Sequence, residues 1–375
     1  MGQKRFKETG MGSFFGAFVY ESIVPRDHFL VKLNEVIDWD GLTPILLPAY
    51  KGEAEVGRPS YPPVMIFKML LISYLYAISE RQTEEWVSYY LPAKEFVGLG
   101  VPEPAPDHST LTAFKERLQE AGYWSHFRAA SDAIVRQALE AGIQMGSIQL
   151  VDSVHTVANV DNEADRKRQG EGKPPRDPDA QLIKKGRRRK VGPDGQVTKQ
   201  KVQYLGYKSH VSLNAETGLI TSVQPTPGNA ADNKQFESLV CHDERLGVDA
   251  DTYAGDRAYD DTRLHYFLAC QGKHTALHLQ SYRTLKKDAN KEPWQRVLAS
   301  AEYQQGRAER YKIERKFGEA KRWHGFGRCR SLGLARYGIQ AFMTAIALNV
   351  KRIAYLLSGV RFRTPDRKAL VTATA

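Results

Sequence analysis

The stretch Arg307 to Lys321 reads Arg-Ala-Glu-Arg-Tyr-Lys-Ile-Glu-Arg-Lys-Phe-Gly-Glu-Ala-Lys. Wound as a helix at about 100° per residue, it sets Arg307, Arg310 and Lys321 within roughly 40° of Glu314. Ile313, Phe317 and Ala320 gather beside them as an apolar face that must pack inward. A carboxylate at the edge of a buried face can help hold a metal ion. Cations at these spacings suit a polyanion passing over that ion. The same spacings also describe an exposed helix laced with ion pairs, and the helix alone leaves both readings open.

Two further acids stand where chemistry would need them. Asp152 falls within a run of strand character, Ser147–His155, and Asp256 ends a shorter one, Asp251–Asp256. Adjacent strand ends with a helix packed over them would bring Asp152, Asp256 and Glu314 together. Three carboxylates in one place repel and raise one another's pKa. With one or two Mg²⁺ ions they become hard oxygen ligands. Two such ions, ~3.5–4 Å apart, activate a water or a 3′-hydroxyl and stabilise the leaving oxygen in phosphoryl transfer. Asp161, Asp260 and Asp261 are of the same type but fall in loops and rank lower. His155 and His210 have no spaced partner ligand and are expected to hydrogen-bond locally. Trp294 reads as a core or surface residue rather than a platform for an unpaired base.

The bulk properties fit a nucleic-acid partner. The chain has 375 residues, 42% hydrophobic and 26% charged, with a formal net charge of +11 and a pI near 9.4. Cys241, Cys270 and Cys329 lie far apart and form no CxxC pair, so neither a disulfide framework nor a zinc site is indicated. The longest apolar stretch, Met69 to Ile78, is too short to span a membrane. No targeting segment is evident, so the cytoplasm, at the nucleoid, is the expected location.

Along the chain the pattern changes once. Residues 1–145 read as all-helical. Pro62-Pro63 open one helix, Ser79-Glu80-Arg81-Gln82 has the form of a capping box for a second, and Asp107 or Ser109 caps a third. That third helix carries Lys115 and Arg117 on its outer side, and 80–119 is a candidate helix-turn-helix, with a plain bundle as the alternative. From 146 to 358 strands and helices alternate: a three-strand meander, then helix-strand-helix-strand-helix, an α/β order with a mixed sheet. The last helix, Leu334–Leu357, is apolar on nearly all sides. A basic insertion at 161–201 interrupts this part, and 359–375 is a tail. Residues 166–201 hold 13 Lys or Arg against 4 Asp or Glu, a net of +9, with Arg187, Arg188, Arg189 and Lys190 in succession. The segment reads as a solvated loop, a phosphate-binding arm, or both.

Taken in order, these motifs resemble the DDE transposases of bacterial insertion sequences, in the group whose third acid lies in a signature of Tyr, Arg, Glu and Lys. Arg310, Glu314 and Lys321 match that signature at its spacing, and Arg307 stands where the tyrosine is expected. The first acid matches in Gln149-Leu-Val-Asp152-Ser, the second in Ala254-Gly-Asp256-Arg-Ala-Tyr259. Between them, Gly206-Tyr-Lys-Ser-His-Val-Ser-Leu-Asn214 and Thr226-Pro-Gly-Asn-Ala-Ala-Asp232 resemble the group's intervening segments. Pro62–Leu91 and Pro106–Leu111 resemble its helical N-terminal part. The resemblance implies an RNase H-like mixed β-sheet with helices on both faces, preceded by an all-helical DNA-binding domain. It implies two Mg²⁺ (or Mn²⁺) ions, with Asp152 touching both and Asp256 and Glu314 one each. It implies cleavage at transposon ends, attack of the 3′-hydroxyl on target DNA, and phosphate contacts from Arg310 and Lys321. Terminal inverted repeats and target DNA, both double-stranded, are the implied partners, with a homodimer in the synaptic complex and no membrane. A catalytically inactive DNA-binding descendant and a nuclease of the same fold are the alternatives.

Overall fold

The computed structural model describes residues 6–9, 14–50, 59–191, 196–280 and 291–363. It divides into two compact units, residues 1–144 with 342–375 and residues 145–341.

The first unit is helical. Its elements are α1 (Phe14–Ile23), α2 (Phe29–Val36), α3 (Thr43–Leu46), α4 (Pro63–Leu75), α5 (Glu80–Tyr89), α6 (Leu91–Val97), α7 (His108–Glu120) and α8 (Ser125–Glu140). α4 is buried along nearly its whole length, which fits its continuous apolar run. The expected capping box opens α5: Gln82 N donates to Ser79 Oγ at 3.2 Å, and Ser79 N donates to Gln82 Oε1 at 3.0 Å. Asp107 caps α7 by accepting from Ser109 N at 2.7 Å. Between α5 and α7 the chain does not simply turn. Pro92 does not end the helical region. It takes the first turn of α6, where its missing N–H costs nothing, so three helices rather than a helix-turn-helix pair occupy 80–119.

The second unit holds one six-stranded sheet. Its strands are β1 (Ile148–Val157), β2 (Gln181–Val191), β3 (Val197–Asn214), β4 (Ile220–Pro227), β5 (Thr252–Gly255) and β6 (His274–Leu277). β1, β3 and β4 form an antiparallel meander, and β5 and β6 run parallel to β1 on its other side. The order across the centre is therefore β4-β3-β1-β5-β6, the RNase H-like arrangement. Gly218, at φ +71°, makes the turn from β3 to β4. α10 (Phe236–Leu246) and α11 (Thr262–Cys270) cover one face, packing Phe236, Leu239, Leu264 and Leu268 against Val151, Tyr253 and Leu277. α12 (Lys291–Ala299) leads into α13 (Ala301–Glu309) and α14 (Tyr311–Trp323). α13 lies on the opposite face. A Cβ added at Gly306 would come within 2.6 Å of Ala276 Cβ and 3.4 Å of Ala254 Cβ, so glycine is what lets this helix approach.

Three expectations need correction. The segment 166–201 is not a loop. It contains α9 (Asn162–Gly170) and then β2, which pairs with the first half of β3. Backbone pairing to the edge of a long strand needs no apolar side chains, so a charged sequence can form it. The stretch Arg307–Lys321 is two helices, with the hydrogen-bond ladder interrupted at Arg310. Arg310 keeps helical dihedrals (φ −53°, ψ −31°), so the stripe stays in phase. The last helix, α15 (Leu334–Ser358), is shared, with Leu334–Ala341 in the second unit and the rest in the first. α15 is long and apolar enough to cross a membrane, but 67% of its most apolar window is buried in the protein.

Candidate active site

The two strand acids are neighbours. β1 and β5 run parallel with Val151 opposite Gly255, so the residues that follow, Asp152 and Asp256, leave adjacent strands side by side. They also share a face. Thr252 and Ala254 lie beneath Gly306 of α13, and alternation places Asp256 on the same side. Thr156, two pleats beyond Asp152, donates to the carbonyl of Phe326 at 3.1 Å, on the side covered by the chain after α14.

Each acid is partly held by backbone. Asp152 Oδ1 accepts from Ser153 N at 2.7 Å. Asp256 caps the single helical turn Arg257–Tyr259 through Ala258 N at 2.8 Å. Burial pushes the Asp152 carboxyl up from 3.8 to about 7, and the charges of Asp256 and Asp232 add to the rise. The Ser153 N–H and Arg310 oppose it. A half-buried carboxyl this reluctant to ionise is short of positive charge.

Glu314 stands differently. α14 packs on β1 through the buried Ile313, but the Glu314 side chain is 64% exposed. It holds Arg310 Nη2 at 3.5 Å. Arg310 is itself only 18% exposed, its Nε is buried without a hydrogen-bond partner, and its charge is felt at Asp152. One guanidinium thus links the third acid to the first. Asp152, Asp256 and Glu314 do not bring oxygens within 4.8 Å of one another as a trio. Among the described residues the cluster that does is Glu84, Asp107 and His108, in the helical unit.

Cations ring the acid pair. Arg257 Nε donates to His278 Nε2 at 3.1 Å. Burial, then Arg307, Arg257 and Arg310, lower the His278 pKa and keep its ring neutral. Arg307, in place of the signature tyrosine, has a buried Nη1 with no hydrogen-bond partner and feels both Arg310 and Asp256. Lys321 is half-buried on the last turns of α14.

The remaining candidates fall elsewhere. Arg189 is exposed on β2. The side chains of Arg187, Arg188 and Lys190 lie outside the described residues, although their backbone pairs with β3. Lys115 is ion-paired with Glu80, and the Arg117 guanidinium sits 5.4 Å from the centre of the Tyr50 ring. Asp161 and Asp261 cap α9 and α11. Asp260 is buried against His265 Nε2 at 3.2 Å and accepts from Gln280 N at 2.6 Å. Trp294 packs edge-on against His265. His210 Nε2 bonds Thr226 Oγ1 at 2.9 Å, as a locally satisfied histidine would.

Several residues around the acids carried no assigned role in the sequence. Lys208 Nζ donates to Asp232 Oδ1 at 3.1 Å and to the Ala230 carbonyl at 2.8 Å. Asp232 also lies 3.4 Å from His210 Nδ1. Lys208, Asp232 and Tyr259 fall inside the motifs that carry the family resemblance, and that was the available signal. His278 had none.

A mixed sheet of this order, with two acids side by side at the ends of its central parallel strands, defines an RNase H-like nucleotidyl transferase. Comparison with protein families gives the finer placement. Residues 18–117 match a transposase domain (DUF772), and residues 170–350 match a transposase DDE domain. The chain belongs to the insertion-sequence DDE transposases: it is a DNA transposase, a metal-dependent polynucleotidyl transferase. Among solved structures it is similar to the piggyBac transposase synaptic complex with hairpin DNA, at 11% identity over 99% of this chain and 81% of that one, TM-score 0.39. It is also similar to the Mos1 transposase paired-end complex with left transposon end, at 11% identity over 72% and 80% of the two chains, TM-score 0.22.

Proposed function

We propose that the protein cuts DNA at the terminal inverted repeats of its element and joins the freed 3′-hydroxyl to target DNA. In this reading Asp152, Asp256 and Glu314 are the ligands of Mg²⁺ or Mn²⁺, two ions in all. The observation that carries it is the Asp152–Asp256 pair, two acids on one face with a proton affinity at Asp152 that calls for a cation. Carboxylate oxygens are the donors such ions prefer. When bound, the ions supply an activated nucleophile and charge for the leaving oxygen. The chain's own residues do the rest. Arg310 releases Glu314 and, with Arg307, Arg257 and Lys321, contacts the phosphates around the cut. Arg307 offers a guanidinium N–H that has no partner within the protein. The β2–β3 hairpin, with Arg187, Arg188, Arg189 and Lys190, tracks the backbone without reading sequence. The helical unit reads the ends, and two copies hold two ends in a synaptic complex.

The test is a cleavage and strand-transfer assay on duplexes bearing the element's ends, with Mg²⁺ and a target plasmid. Nicking at the ends followed by joining is the expected result. Cleavage without any joining would make the protein a nuclease of this fold. Glu314→Gln should bind ends like the parent and lose cleavage by orders of magnitude, and increased protein should not restore it. Lys321→Ala should weaken binding and recover in part at high concentration. Neutralising Arg187, Arg188, Arg189 and Lys190 together should weaken binding to all sequences alike. The slope of log affinity against log salt should become shallower by about 0.9 for each DNA phosphate left without its cation.

A further inference from the structure

Tyr259 is fully buried, and its hydroxyl has no hydrogen-bond partner among the described residues. A buried hydroxyl left unbonded costs about 1–3 kcal/mol, and such groups are rare in folded proteins. Its position is closely fixed. The ring packs with Phe236, Tyr253 and Leu277 in the core beneath α10 and α11. It lies across Gly255, where an added Cβ would meet Tyr259 Cδ2 at 3.1 Å and Leu277 Cδ2 at 2.9 Å. Gly255 is in register with Val151, the residue before Asp152. The charged groups around the phenol are Asp152, Asp232, Asp256 and Arg310. The three carboxylates outnumber the one cation, so the phenol stays protonated and is available only as a donor.

Asp232, from the segment after β4, is already occupied by Lys208. Asp256 Oδ1 is occupied by Ala258 N. Asp152 Oδ1 has the Ser153 N–H, and Asp152 is the carboxylate whose charge acts most strongly on Tyr259.

We infer that Tyr259 is a positioning residue for the first acid: when the Asp152 carboxylate is charged and faces a divalent cation, the Tyr259 hydroxyl donates a hydrogen bond to it and fixes its orientation. This rests on the reading of Asp152 as a metal ligand. A ligating carboxylate held by an outer hydrogen bond binds its ion more tightly, and loss of such a partner typically weakens metal binding about 10–100-fold. Metal-free, the donor is idle. Metal-loaded, it has an anionic acceptor.

The experiment measures Mn²⁺ binding directly, by calorimetry and by the paramagnetic resonance of free Mn²⁺, on the full chain without DNA. Tyr259→Phe keeps the ring and removes the hydroxyl. Its metal-free melting temperature should equal or exceed the parent's, since an unbonded buried group has been removed. Its Mn²⁺ dissociation constant should rise at least about 10-fold. Mn²⁺ affinity within about two-fold of the parent overturns the proposal. So does a lowered metal-free melting temperature, which would mean the hydroxyl is already bonded within the fold. Asp152→Asn separates the two levels. If it binds Mn²⁺ as the parent does, the metal-site reading fails. If it loses Mn²⁺ while Tyr259→Phe does not, only the role of Tyr259 fails.

Discussion

Two clusters of acids can be compared, one in each unit. Glu84, Asp107 and His108 lie closer together than Asp152, Asp256 and Glu314, and by distance alone they are the better metal site. Their hydrogen bonds point to another role. Glu84 Oε2 accepts from the His108 backbone N at 2.9 Å and meets His108 Nδ1 at 2.8 Å, and Asp107 caps the same helix. These carboxylates satisfy the free N–H groups at the start of α7, and Asp107 ionises more readily because of it. Asp152 and Asp256 have fewer donors, and burial makes Asp152 resist its charge. Unmet demand for positive charge, more than proximity, marks the site.

The largest expected effect tests that contrast directly. Asp152→Asn and Asp256→Asn should each reduce end cleavage by several orders of magnitude, because the ions they hold supply much of the barrier reduction. Glu84→Gln should leave cleavage within about three-fold of the parent while weakening the start of α7 by about 1 kcal/mol. The readouts are cleavage rate and melting temperature for each variant. If Glu84→Gln abolished cleavage with the fold intact, the comparison would be reversed.

How much of this was legible in the sequence follows from what each element depends on. β1 and β5 announce themselves by apolar runs that end in acids, and the capping box at Ser79 and Gln82 is a local pattern with a local cause. β2 was not legible. Gln181–Val191 is mostly charged and becomes a strand because β3 is long enough to offer an unpaired edge. The break at Arg310 depends on where α13 settles against the sheet, which Gly306 sets from a distance. The acids could be picked out by position, but their unequal circumstances could not. Glu314 is exposed and tied to Arg310, and Asp152 is crowded by Asp256 and Asp232, only because three separate segments converge at one end of the sheet. Lys208, Asp232 and Tyr259 were visible as motif residues, with nothing in the sequence to say that they meet.

The smallest effect concerns pH, and here the two clusters should differ in sign. Asp152 has its pKa raised from 3.8 to about 7, chiefly by burial. Between those values the folded metal-free protein holds a proton that the unfolded chain has released. The slope of unfolding free energy against pH is therefore negative in that window, so stability declines as pH rises from about 4 to about 7 and then levels. Asp107 has its pKa lowered, first by its bonds to Ser109. Its contribution is fully present above 3.8 and is lost as pH falls through the lower folded value. Metal-free melting curves on the parent, Asp152→Asn and Asp107→Asn should separate these terms. Asp152→Asn should remove part of the decline between pH 4 and 7 and gain most over the parent near neutrality. Asp107→Asn should change nothing in that window and flatten the loss at lower pH. Mn²⁺ gives the last discrimination. A bound cation favours the charged carboxylate, so saturating Mn²⁺ should abolish the decline assigned to Asp152 and leave the acid-side loss assigned to Asp107 untouched. A decline that persists in Asp152→Asn would place the missing charge on another buried acid, with Asp243 the next to test, since burial raises its pKa as well.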